Sequence, residues 1–160
     1  MWMLEIPPFL PFFIGALFVA VTRGIPRSVI MLIIPVASAA HLWTVPEGVH
    51  LQMALFDYEL TPYRVDRLSL MFGYVFHIAA FIGIVYSLHL RDTLQQVAAL
   101  MYAGSGLGAV FSGDLLSLFV FWELLAFTSV FLIWARKSSR SYQAGMRYLI
   151  IQVLSGVILL

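Results

Sequence analysis

Long apolar runs constrain the fold of this chain more than any other feature. Several extend for about 20 residues, the length of helix that crosses a hydrocarbon core about 30 Å thick. Of the 160 residues, 62% are hydrophobic and 11% are charged, and the mean hydropathy is +0.96. About a quarter of the residues of a soluble domain are charged. Most of this chain is therefore predicted to lie in lipid.

The apolar runs predict an all-α, polytopic membrane helix bundle with five complete transmembrane helices and a truncated sixth. The five cover residues 8–22, 28–45, 68–88, 95–111 and 114–135, and the sixth starts at 141. Residues 46–67 form a polar outer loop, in which the alternation over 49–55 is typical of a short strand. Asp66 and Ser69 are placed to cap the third helix.

Residues 1–160 are interpreted as a single transmembrane domain, because no soluble segment of domain size interrupts the spans. The sixth run is still apolar at Leu160, without a polar flank. We therefore expect the chain to be the N-terminal fragment of a longer subunit. The alternative is a natural chain that ends at the membrane face.

The basic residues of the short connections fall on one side if the spans alternate. They are Arg23, Arg27, Arg91, Arg136, Lys137 and Arg140. Most of the acids fall on the other side, including Glu5, Asp57 and Asp114. The positive-inside rule makes the basic side cytoplasmic, which places the N-terminus outside. The predicted location is the cell inner (plasma) membrane, crossed several times.

Composition and motifs argue against several functions. The chain has no cysteine, which removes thiolate metal sites, disulfides and iron–sulfur ligation. A net charge of +1 does not favour nucleic acid. The glycine-rich run at 103–109 follows no strand, so it is not a dinucleotide loop; Gly104 and Gly108 instead form a small-residue face for helix packing. No cofactor and no metal are predicted.

Glu123 is the candidate catalytic residue. It lies in LFVFWELLAF (118–127) among large apolar side chains, about 13 Å along its helix and so near the bilayer centre. Inserting an ionisable side chain at that depth costs roughly 3 kcal/mol of free energy. Desolvation favours the neutral acid unless a cation is close, and a group that can be held in either state suits proton transfer. The structural alternative is a protonated Glu that hydrogen-bonds to a neighbouring helix.

No strong cationic partner for Glu123 is expected within the chain. Lys137, the only lysine, follows fourteen residues later, about 21 Å along a helix, and Arg147 can snorkel to the interface. The partner would come from beyond Leu160 or from another subunit. His77, in the middle of the third helix, could relay protons with Glu123; the alternative, which we favour, is a neutral His held by a backbone carbonyl.

The run SGDLLSLFVFWEL (112–124) resembles the fifth transmembrane helix of the antiporter-like subunits shared by Mrp-type cation/proton antiporters and respiratory complex I. The stretch RVDRLS (64–69) is similar to the start of the family's third helix, and residues 144–160 are similar to its sixth. The resemblance covers roughly residues 66–160. Among family members it is nearest to the D-type subunit of the Mrp-type antiporters.

The resemblance implies that Glu123 matches the family's proton-handling glutamate, which pairs with a lysine on helix seven. That lysine and the central lysine of helix eight would follow Leu160, so these residues alone should not transport. The implied function is a proton-translocating subunit of a cation/proton antiporter or complex I-like assembly. The implied partners are other membrane subunits, protons, Na⁺ and the lipid bilayer.

Two alternatives belong to other classes. One is a non-transporting scaffold helix bundle that packs neighbouring subunits. The other is an intramembrane enzyme, for which His77 and Glu123 are the only candidate pair. In the main interpretation, as a transport subunit, the chain has no active site of its own, although it could be a subunit of an NADH:quinone oxidoreductase-like complex. The sequence leaves open which cation is exchanged and whether transport is coupled to redox chemistry.

Overall fold

The computed structural model describes residues 6–55, 58–90 and 92–159. Within these ranges the chain forms six helices and one two-stranded antiparallel sheet. In chain order the elements are α1 (Leu10–Val21), α2 (Ile25–Leu42), β1 (Gly48–Leu55), β2 (Tyr58–Val65), α3 (Arg67–Ser87), α4 (Thr93–Phe111), α5 (Leu115–Trp134) and α6 (Ser139–Leu159). The mostly helical fold agrees with the prediction.

Three of the described helices, α2, α3 and α5, are long and apolar enough to cross a membrane. α1 is apolar but has only 12 residues, a rise of about 18 Å against a core of about 30 Å. α4 and α6 are long but more polar, because α4 carries Gln95 and Gln96 and α6 carries Arg140 and Arg147. Helices of spanning length are thus confirmed, whereas five complete spans are not.

The all-α prediction is wrong for the outer loop, where β1 and β2 pair as an antiparallel hairpin. The alternation over residues 49–55 predicted most of β1. β2 was missed because Pro62 cannot donate to a ladder and because Glu59 and Arg64 interrupt its apolar pattern. The loop remains the polar connection between α2 and α3 that the sequence indicated.

Acidic caps set the starts of three helices. Ser69 N–H donates to Asp66 Oδ1 at 2.8 Å and Asp66 N–H donates to Ser69 Oγ at 2.8 Å, which confirms the predicted cap of α3. The hydrogen bond from the Ser69 backbone lowers the pKa of Asp66. Asp92 caps α4 by accepting from the Leu94 N–H, and Asp114 caps α5 by accepting from the Ser117 N–H, in each case without the reciprocal bond seen at α3.

α2 begins earlier than residue 28, the predicted start. Pro26 lies in its first turn, where a missing N–H costs nothing because that group has no intrahelical partner. The preceding Gly24 has φ 67°, a left-handed conformation that favours glycine. Ile25 and Pro26 therefore belong to the start of α2, and Gly24 belongs to the turn before it.

α4 lies at the centre of the bundle and packs against α1, α3 and α5. Three of its glycines admit phenylalanine side chains so closely that an added Cβ would overlap them. The neighbour is the Cβ of Phe12 of α1 at Gly104, the ring of Phe76 of α3 at Gly106 and the ring of Phe121 of α5 at Gly108. The predicted packing role of Gly104 and Gly108 is confirmed, although the two glycines receive different helices.

The hairpin is fixed to the tight link between α4 and α5. Gly113 N–H donates to the Thr61 carbonyl at 2.8 Å, and Thr61 N–H donates to Asp114 Oδ2 at 2.6 Å. Tyr63 is fully buried, with its ring edge-on to Phe9 and Phe111. The hairpin therefore closes this end of the bundle.

The opposite end carries the basic connections. Lys137 Nζ lies 2.9 Å from Asp92 Oδ2, which joins the α5–α6 link to the α3–α4 link. Arg27 Nη1 donates to Gln96 Oε1 at 3.2 Å, which joins α2 to α4. We call this end, with Arg23, Arg27 and Lys137, the basic end. It lies where alternating spans place it; Glu5, Asp57 and Arg91, also used in that argument, lie outside the described residues.

Candidate functional site

Glu123 lies near the middle of α5. It follows Leu115, the first residue of that helix, by eight positions, a rise of about 12 Å. Its side chain is half-buried and its Oε1 atom is buried. The position along the helix is the one expected from the sequence, and the depth in the bilayer stays a prediction.

Glu123 lines an open groove between α5 and α6. The groove has a volume of about 340 Å³, and its other walls are apolar: Val120, Leu124 and Phe127 from α5, and Leu149 and Val153 from α6. In such surroundings an ionised carboxylate lacks the solvation that water gives it. The groove therefore surrounds the Glu123 carboxyl with apolar side chains.

One carboxyl oxygen of Glu123 rests against the backbone of α6. A Cβ added at Gly156 would overlap Glu123 Oε1 and would lie 3.3 Å from the Phe119 ring. Among the described residues, Oε1 has no hydrogen-bond partner. A buried acceptor without a partner costs roughly 1–3 kcal/mol. Glu123 is thus held against a neighbouring helix without a hydrogen bond that would satisfy this oxygen.

Cationic side chains of the described part of the chain do not approach Glu123 within ion-pair distance. Lys137 is paired with Asp92. The hydrogen bond from Lys137 is the main reason that the pKa of Asp92 is lowered. Arg147 is exposed on α6. The prediction that Lys137 does not pair with Glu123 is confirmed.

His77 is buried in a network of hydrogen bonds that links α2, α3 and the start of α1. Its Nδ1 atom lies 2.7 Å from the Gly73 carbonyl and its Nε2 atom lies 2.9 Å from Ser38 Oγ. Ser38 Oγ in turn donates to the Pro8 carbonyl at 2.7 Å. The backbone-carbonyl contact of the favoured alternative is confirmed, whereas the neutral state of the ring stays a prediction. No hydrogen bond within the described ranges joins His77 to Glu123.

The three hydrogen bonds of this His77 network require three hydrogen atoms. Two of the acceptors, the Gly73 and Pro8 carbonyls, cannot donate, so the ring must carry a hydrogen on Nδ1. If the ring is neutral, the only further hydrogen is that of the Ser38 hydroxyl. It can be donated either to the Pro8 carbonyl or to His77 Nε2, but not to both. An imidazolium would supply a hydrogen to every contact.

The sequence did not single out Ser38 or Gly156. Ser38 carries no local signal, because its contacts with His77 and the Pro8 carbonyl depend on how α2 packs against α3 and the start of α1. Gly156 carries no local signal either, because its contact depends on how α6 rotates against α5. Among the described residues, no group of three or more His, Asp or Glu side chains is placed to hold a metal ion.

The fold and site define a helical membrane chain with an acid at mid-helix in an apolar groove. Residues 112–160 match the family described as "NADH:quinone oxidoreductase/Mrp antiporter, TM". This match includes both α6 and the helix that carries Glu123. The resemblance to the antiporter-like membrane subunits shared by Mrp-type antiporters and complex I is thereby confirmed.

Individual relatives agree with the family. A protein named Na⁺/H⁺ antiporter subunit A1 from Staphylococcus haemolyticus (strain JCSC1435) is 33% identical over 103 residues, or 60% of this chain and 13% of that protein. A putative antiporter subunit mnhA2 from the same strain is 32% identical over 146 residues, 82% of this chain and 18% of that protein. Subunit A1 of Staphylococcus aureus (strain bovine RF122 / ET3-1) is 31% identical over 103 residues, 60% of this chain and 13% of that protein.

The chain spans between 13% and 18% of the length of these relatives. Their names are those of A-type subunits, whereas the sequence resemblance was nearest to the D-type subunit. The resemblance to the family is confirmed, and the choice of subunit stays a prediction.

Proposed function

We propose that this chain is part of a proton-translocating membrane subunit of a cation/proton antiporter or complex I-like assembly, in which Glu123 takes up and releases the proton. The observation that carries the proposal is the unpartnered carboxyl oxygen of Glu123, at mid-helix in the apolar groove between α5 and α6. Both helices lie in the part of the chain that matches the family.

The proposal gives Glu123 two states, a protonated acid and a carboxylate. A cation brought close to an acid stabilises the carboxylate form. A positive group that approaches and leaves would therefore make Glu123 release and bind a proton. We infer that the cation comes from another part of the subunit or from a neighbouring subunit, because the described residues supply none at ion-pair distance.

The same proposal assigns partners and location. Other membrane subunits would surround the bundle, and protons and Na⁺ would be the transported ions, in line with the Na⁺/H⁺ antiporter names of the relatives. The plasma membrane, crossed several times with the basic end inside, is the proposed location. Coupling to quinone-linked electron transfer is the alternative to sodium exchange.

One observation favours a second candidate function, a non-transporting scaffold. Glu123 lies directly against the α6 backbone at Gly156, as a residue whose role is to join two helices would. In that case the groove between α5 and α6 needs only to be filled, and the protonation state of the acid does not matter.

Replacement of Glu123 by Gln separates the two functions. The variant Glu123→Gln keeps the shape of the side chain but cannot release a proton. In the full protein, assayed in membrane vesicles by proton flux in response to added Na⁺, we expect flux to fall to background while the complex assembles normally. Glu59→Gln, which changes an exposed acid of β2, is the matched control and should keep full flux. Normal flux in Glu123→Gln would support the scaffold.

A further inference from the structure

A large cavity in the described part of the chain lies at the basic end, away from Glu123. It has a volume of about 810 Å³ and opens between the α1–α2 turn, the first turns of α2 and the α3–α4 link. Its polar lining consists of Arg23, Arg27, Ser28, Thr93 and Gln96. None of the residues that line it is Asp or Glu.

Arg27 is buried at the wall of this cavity with 7% of its surface exposed. Its Nε donates to the Thr22 carbonyl at 2.7 Å, its Nη2 donates to the same carbonyl, and its Nη1 donates to Gln96 Oε1 at 3.2 Å. These acceptors are neutral. A guanidinium has five N–H donors, so these three bonds leave two donors unused and the positive charge uncompensated.

The acid nearest in sequence to this cavity is already engaged. Asp92 caps α4 through the Leu94 N–H at 3.0 Å and pairs with Lys137 at 2.9 Å. Within the described part of the chain, neither Arg23 nor Arg27 has a carboxylate within 4.0 Å. A buried charge without an opposite charge beside it is costly.

The remainder of the cavity wall is aliphatic. It consists of Ile25, Val29 and Leu32 on α2 and Leu88 and Leu90 at the end of α3. Ile25 and Val29 are exposed. The cavity thus combines a cationic pole with an apolar side at the end of two helices of spanning length, α2 and α3. A small inorganic anion would contact only the arginine side chains and would leave the aliphatic wall without a partner.

We propose that this cavity binds an anionic phospholipid, with its phosphate between Arg23 and Arg27 and an acyl chain along Val29 and Leu32. Basic pockets between helices at the cytoplasmic face are suited to acidic headgroups. Arg27 is the fixed donor, held by Thr22 and Gln96, and Arg23 is the exposed donor that closes over the headgroup. The site is independent of the proton-handling role of Glu123.

The test measures binding of phosphatidylglycerol and phosphatidylcholine to the full protein in detergent, by native mass spectrometry. Arg23→Gln is the informative variant, because Arg23 is exposed and its loss should leave the fold intact. Arg140→Gln removes an exposed charge at the start of α6, also at the basic end, and is the matched control. We expect phosphatidylglycerol to bind in preference to phosphatidylcholine, and Arg23→Gln to weaken its binding about fivefold, with Arg140→Gln near wild type.

Three results would overturn the proposal. Equal weakening by Arg23→Gln and Arg140→Gln would mean a diffuse charge effect without a site. Equal binding of the two lipids would mean that the arginines do not read the headgroup charge. Displacement of phosphatidylglycerol by inorganic phosphate at equal concentration would identify a free phosphate site. Each readout is separate from proton flux, so failure here leaves the role of Glu123 to its own test.

Discussion

Glu123 on α5 lies against Gly156 on α6 so closely that a methyl group at Gly156 would occupy the position of its carboxyl oxygen. The absence of a side chain at Gly156 therefore creates the space in which Glu123 can lie between the two helices. The Glu123 carboxyl and the backbone of α6 are in direct contact, and changes at either position should affect the other.

Gly156→Ala should displace the Glu123 carboxyl or push α6 away from α5. Overpacking of this kind costs typically 1–3 kcal/mol, and we expect both a lower thermal midpoint and reduced proton flux. Gly83→Ala is the control, because a Cβ at Gly83 meets nothing within 4 Å and alanine favours a helix by up to about 1 kcal/mol. Full stability and flux in Gly156→Ala would show that the contact is not as close as described.

Ser38→Ala should leave the Pro8 carbonyl without its donor and His77 Nε2 without a partner. Each buried polar group left unpaired costs roughly 1–3 kcal/mol, so thermal unfolding of the reconstituted protein should shift clearly downward. Ser129→Ala removes a more exposed hydrogen bond, to Tyr148 Oη at 3.0 Å, and should change stability by less than about 1 kcal/mol. Similar shifts in the two variants would contradict a buried network at His77.

Asp114→Ala should loosen the hairpin as well as the start of α5. Burial raises the pKa of Asp114, but hydrogen bonds from the Ser117 hydroxyl and from the Ser117 and Thr61 backbones outweigh this, and the net pKa is lowered. The stabilisation is therefore present above the ordinary pKa of Asp and is lost as the pH falls below it. We expect a loss of about 0.5–2 kcal/mol and faster hydrogen exchange at the Thr61 amide, with Glu59→Gln as the unaffected control. Unchanged exchange at Thr61 would exclude the contact.

Tyr63 should make stability fall in alkaline solution. Burial raises the pKa of Tyr63 to about 12 from 10.0, so the folded state keeps its proton where the unfolded state has lost it. The stabilisation is complete below pH 10.0 and declines as the pH rises toward about 12, by up to about 1.4 kcal/mol per pH unit. In Tyr63→Phe this decline should be smaller, as measured by denaturant unfolding across that range. The same slope in wild type and variant would contradict the burial of the hydroxyl.

Local chemistry made part of this structure predictable. The capping box of Asp66 and Ser69 depends only on residues close in the chain, and the spanning lengths of α3 and α5 follow from apolar composition. The glycine face of α4 was predicted as a packing surface because small residues let helices approach. In each case a short segment contains the physical cause.

Tertiary contacts explain what the sequence did not predict. β2 is a strand because it pairs with β1 and because Thr61 bonds to the α4–α5 link, and its own pattern with Pro62 does not favour one. Likewise, Glu123 was found as an isolated acid, but its contact with Gly156 depends on the rotation of α6. The bond of Arg27 to Gln96 joins α2 to α4 across 69 residues of sequence.

The most direct test of the account follows the protonation of Glu123 itself. Infrared difference spectra of the full protein in membranes, recorded as the proton gradient is imposed and removed, report the stretching band of a protonated carboxyl group. We predict a band that appears and disappears reversibly with the gradient and is missing in Glu123→Gln but present in Glu59→Gln. A band that does not change with the gradient, or one that persists in Glu123→Gln, would contradict the central claim that this acid takes up and releases the transported proton.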